Sequence, residues 1–138
     1  MRGEMLRRFL SAWGFQKANS LFANGKYAAS IEVYRRITQP IDLRLRSVAM
    51  MARAYYLLSD FENSKNYFVQ LREEAEQFNG SGDERSFLAE YFIVYANQGL
   101  SKLKDKIDLG FHLDNIIYCR EQHTGVPRRI LRDFPLAD

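Results

Sequence analysis

The sequence predicts an all-α protein made of antiparallel helical hairpins stacked as a short solenoid, about six helices plus a C-terminal tail. Three observations predict it. The chain repeats its own residue pattern at a spacing of 34. Apolar residues recur three and four apart, the period of one helix face. Three prolines and eight glycines in 138 residues are too few for the many tight turns of a β-sandwich.

The chain opens with MRGEMLRRFLSAWGF, which is basic and apolar. Arg7 and Arg8 interrupt any apolar core and no small-residue cleavage site follows, so a secretory signal does not fit. An Arg-rich amphipathic transit segment fits better. The same residues run straight into the first repeat, however, and are assigned to the fold.

The repeat itself aligns NGKYAASIEVYRRITQP (Asn24 to Pro40) with SDFENSKNYFVQLREEA (Ser59 to Ala75). At a shift of 34, Ala18 falls on Ala52, Leu21 on Tyr55, Tyr27 on Phe61, Ser30 on Ser64, Tyr34 on Phe68 and Ile37 on Leu71. Self-similarity at this period marks a helix–turn–helix solenoid, because one unit cannot bury its apolar face without a neighbour. Ala18 and Ala52 let the two helices of a unit approach closely. Gly25 is expected to take the left-handed conformation that ends a first helix, with Asp60 in the matching role. Tyr27 and Phe61 open the second helices as large core anchors. Ser30/Ser64, Tyr34/Phe68 and Ile37/Leu71 form one buried stripe, and Pro40 is expected to stop the first unit's second helix.

On these residues the chain resembles the tetratricopeptide repeat (TPR) family, over about residues 12–75. The period and the order of small and aromatic residues carry the resemblance. Serine stands at 30 and 64 where the family prefers alanine, Pro40 arrives two residues early, and the second unit lacks such a proline. The reading is one TPR-like domain over 1–138, with units at about 12–40, 46–75 and 84–123 and a tail at 124–138.

In the third unit, Asp83 or Ser81 is available to cap SFLAEYFIVYANQGL, where Leu88, Tyr91, Phe92 and Tyr95 share a stripe and Gly99 lies near the end. LGFHLDNIIYCREQ, about 109–122, reads as a sixth helix, and PRRILRDF as a short final helix capping the apolar end.

Candidates for chemistry are sparse. His112, Ile116, Cys119 and His123 share a helix face. Cys119 and His123 could give two zinc ligands, but His112 lies about 16 Å from His123 along the axis and cannot join them. No GxSxG, phosphate-binding glycine loop or HExxH is present. The carboxylates of REEAEQ, Arg72 to Gln77, read as a solvated face. No catalytic residue, metal or cofactor is expected, and the chain is read as no enzyme.

Charge divides the chain: residues 1–69 hold 11 Lys/Arg against 5 Asp/Glu, and residues 70–138 hold 9 against 12. The basic half, with Arg7, Arg8, Arg35, Arg36, Arg44, Arg46 and Arg53, makes nucleic-acid binding the second function class. The lone Cys119 precludes an internal disulfide and suits a reducing, cytoplasmic setting. No apolar run reaches a membrane span, so no membrane partner is expected.

What the resemblance implies is a concave surface lined by the first helix of each unit. By alignment its outward residues are Phe15, Asn19 and Phe22, then Arg46, Arg53 and Tyr56, then Ile93 and Asn97. Some family members clamp a partner's C-terminal carboxylate there. Asn19 matches the clamp asparagine, whereas Phe15 replaces its lysine and Met50 its next asparagine. The expected activity is therefore non-catalytic binding of one dedicated protein, through an acidic or partly apolar segment. A bacterial chaperone for a secreted protein and an immunity protein that neutralises one toxin both suit so small a module. An occupying terminal segment is the alternative state of the groove, and the stacking ends leave a homodimer open.

Overall fold

The computed structural model describes residues 2–79, 86–104 and 128–134. These residues form helices α1 (Arg2–Ala23), α2 (Tyr27–Arg35), α3 (Ile41–Leu57), α4 (Phe61–Asn79), α5 (Ser86–Lys104) and the six-residue α6 (Arg128–Asp133), with no strand among them. The expected helix at 109–122, and the caps Ser81 and Asp83, lie outside the described residues. The chain divides into two compact units, Met1–Tyr67 and Phe68–Asp138, with the division inside α4.

In the first unit the 34-residue repeat is written into the turns. Gly25 has φ +77°, and the Lys26 and Gly25 amides donate to the Leu21 and Phe22 carbonyls at 2.9 and 3.0 Å. Thirty-four residues on, Ser59 has φ 61°, and the Asp60 and Ser59 amides donate to Tyr55 and Tyr56, both at 2.9 Å. Both are Schellman ends, which satisfy two carbonyls the helix leaves open. The left-handed residue of the second turn is thus Ser59, correcting the expectation for Asp60. Asp60 caps α4 instead: its carboxylate accepts from the Asn63 amide at 3.2 Å and the Asn63 side chain at 2.7 Å.

Pro40 also has a different place from the one expected. α2 ends at Arg35, and Pro40 is the N-cap of α3, its carbonyl accepting from Arg44 N at 2.9 Å. A residue without an N–H costs nothing at a helix start. Ile37, beyond the end of α2, is buried all the same and completes the stripe with Ser30 and Tyr34.

α3 is the buried helix of this unit, with every residue from Leu45 to Ala54 removed from solvent. It touches both α1 and α2. Ser64 explains one departure from the repeat pattern: its hydroxyl donates across to the Ala52 carbonyl of α3 at 2.8 Å, fully buried. Ser30 bonds within its own turn, to Tyr27 O at 2.7 Å. Phe61, expected in the core, is 40% exposed and packs edge-on with Tyr56 at 5.6 Å.

In the second unit, Leu88, Tyr91, Phe92 and Tyr95 form the expected buried stripe of α5. Gly99 lies inside α5, not at its end. A Cβ there would sit 2.6 Å from the buried Phe68 ring, so the glycine is a close-packing site. The final helix forms as expected. Ile130 and Phe134 are buried, Phe134 meeting the rings of Phe92 and Tyr95 at 5.2 and 5.5 Å. Tyr91 OH donates to the Phe134 carbonyl and ties the chain down there.

Candidate functional site

The residues expected to line a groove fall in both units: six in the first, and Ile93 and Asn97 in the second. Within the first unit they form two matched stacks between α1 and α3. The Arg46 guanidinium lies over the Phe15 ring at 4.5 Å, and that of Arg53 over Phe22 at 5.3 Å. Each pair is 31 residues apart and the rungs are seven apart on each helix, so α1 and α3 run parallel in fixed register.

These stacks correct the expectation that Phe15, Arg46 and Arg53 face outward. Phe15 is 4% exposed, Arg46 5% and Arg53 7%. A buried cation needs compensation, and an aromatic face supplies it by the attraction of the ring quadrupole. Arg53 also donates to the Met50 sulfur at 3.5 Å. Phe15 meets Tyr34 edge-on at 5.7 Å, and Tyr34 OH donates to Asn19 Oδ1. The clamp asparagine therefore holds the hairpin closed.

Phe22 and Tyr56 remain half-buried. They occupy equivalent positions and repeat the same contact: Phe22 packs edge-on with Tyr27 at 5.1 Å, as Tyr56 does with Phe61. Leu57 and Leu58, each 45% exposed, extend the second pair into an apolar patch at the turn. Their adjacency to the aromatic pair was legible in the sequence, although helix periodicity does not single them out. In the second unit, Asn97 Oδ1 accepts from Arg72 at 3.1 Å, and Ile93 is half-buried one turn earlier on α5.

The basic set is largely engaged inside the first unit. Arg35 pairs with Glu32 at 3.1 Å and donates to Tyr55 OH at 3.2 Å; Tyr67, then Glu32, hold its pKa above the usual value. Arg44 donates to the Ile37 carbonyl at 3.2 Å. In the second unit, Glu74 of REEAEQ accepts from Gln70 at 2.8 Å, whereas Glu73 and Glu76 are exposed, as a solvated face requires.

No group of three or more His, Cys, Asp or Glu side chains among the described residues could hold a metal ion. His112, Cys119 and His123 lie outside those residues. No described helix is long and apolar enough to cross a membrane.

The geometry defines an all-helical chain whose first unit repeats a hairpin. No family model, curated protein or solved structure matches it.

Proposed function

We propose that the chain is a non-catalytic, TPR-like protein-binding module that holds one dedicated partner against its first helices. The observation that carries this reading is the pair of guanidinium–aromatic rungs setting α1 and α3 parallel, each continued into a half-buried aromatic, Phe22 or Tyr56. Parallel first helices in fixed register are what a repeat array offers to an extended segment. Partly exposed aromatics on rigid helices are the groups that contribute most to an interface. The partner chemistry favoured is an apolar segment with acidic residues, suited to the basic first half. A chaperone-like or toxin-neutralising role fits a module of this size.

Affinity purification with and without nuclease, followed by mass spectrometry, tests the reading. One protein at near-equal stoichiometry, resistant to nuclease and lost with Tyr56→Ala at unchanged melting temperature, is expected. Material lost on nuclease treatment would overturn it in favour of nucleic-acid binding. Charge reversal of Arg46 and Arg53 is unsuitable as a binding test, because both are buried and their loss would disturb the fold.

A further inference from the structure

α1 has two apolar faces on opposite sides. Phe15 and Ala18, with the half-buried Phe22, project toward the core of the first unit. Met5, Leu6, Phe9, Leu10 and Trp13 project about 180° away, at 100° per residue. They are 71, 58, 61, 56 and 63% exposed. Isolated surface leucines are ordinary, but five large apolar side chains on three turns of one helix call for an occupant. Trp13 borders two shallow clefts, of about 370 and 530 Å³, at the inner end of this face.

We propose that this face lies on an anionic membrane surface, with α1 parallel to the bilayer plane. Charge favours that occupant. Residues 2–17 carry Arg2, Arg7, Arg8 and Lys17 against Glu4 alone. A second copy of α1 would therefore bring like charges together, whereas acidic headgroups complement them. Size points the same way. A stable protein interface engages about 20–30 residues a side, far more than this stripe. Membrane adsorption has no such threshold, because it sums the burial of each apolar side chain and the attraction of each cation. Trp13, beside the exposed Lys17, also suits the headgroup boundary, where an indole keeps its N–H wet and buries its ring. The absence of a spanning segment, which argued against a membrane partner, does not bear on a helix that lies in the interface.

The only tryptophan in the chain is on this face and serves as the reporter. Trp13 fluorescence is followed as vesicles are added, either of phosphatidylcholine alone or of phosphatidylcholine mixed with phosphatidylglycerol. A blue shift with the mixed vesicles at low salt, much weaker with the neutral ones, is expected. Lys17→Glu should lower partitioning at least about tenfold. Phe9→Glu should abolish the shift while far-ultraviolet circular dichroism stays unchanged, since Phe9 is exposed. No shift with either vesicle would overturn the proposal. So would a lipid-free blue shift that Phe9→Glu removes, with light scattering reporting a dimer, because a second copy would then be the occupant.

Discussion

Two glycines inside helices have opposite meanings, and only their neighbours separate them. At Gly14 of α1 an added Cβ would meet Ile37 at 3.9 Å, an ordinary contact. Gly14→Ala should therefore raise stability by up to about 1 kcal/mol, the helix-propensity gain. Gly99→Ala gains the same propensity but drives a Cβ to 2.6 Å from the Phe68 ring. It should destabilise by about 1–3 kcal/mol net, as overpacking does. Urea unfolding of the two variants gives opposite shifts in midpoint if the packing is as described. Arg46 makes a third case. Arg46→Met keeps the apolar stem on Phe15 and should cost about 1–2 kcal/mol, the loss of a desolvated cation–π contact. Arg46→Glu places a buried carboxylate against the negative face of the ring and should cost about 3–5 kcal/mol. Both are readable from thermal melts.

At the scale of elements, the turns decide where each hairpin closes. Ser59 sits at φ 61°, where a side chain is penalised by about 1–2 kcal/mol, while Gly25 sits at φ +77° without one. Ser59→Gly should stabilise and Gly25→Ser destabilise, each by roughly 1 kcal/mol. The same denaturation assay checks both, with equal and opposite midpoint shifts expected. Removing the α4 cap by Asp60→Ala should cost about 1 kcal/mol, with Asp60→Asn nearly silent. The sequence placed the two turns correctly, because the 34-residue shift aligns NGK with SDF. It misassigned Ser59 and Asp60, since both residue types serve at turns and caps. Which of the two turns left-handed depends on where α3 stops. Pro40 was misplaced for a related reason: proline ends one helix or begins the next with equal ease.

For the molecule as a whole, the terminal helix is the sensitive element of the second unit. Phe134 is fully buried among Phe92 and Tyr95, so Phe134→Ala should cost about 3–5 kcal/mol. Calorimetry of the variant would show a lowered transition. A melt indistinguishable from the parent would mean that the tail does not seat on α5.

The sequence by itself determined that the chain is helical, that it writes one hairpin twice, and that Tyr34, Ile37, Phe68, Leu71 and the α5 stripe are buried. Those properties follow from local periodicity and side-chain size, which a linear pattern records. Burial of Phe15, Arg46 and Arg53 was decided only by tertiary structure. A guanidinium reads as a surface group until a ring 31 residues away is found beneath it. The two faces of α1 show the same division. Their opposition is a matter of helix geometry, but which one the core would cover depends on where α2 and α3 pack. The core takes the face of Phe15 and Ala18 and leaves that of Phe9 and Trp13 to solvent.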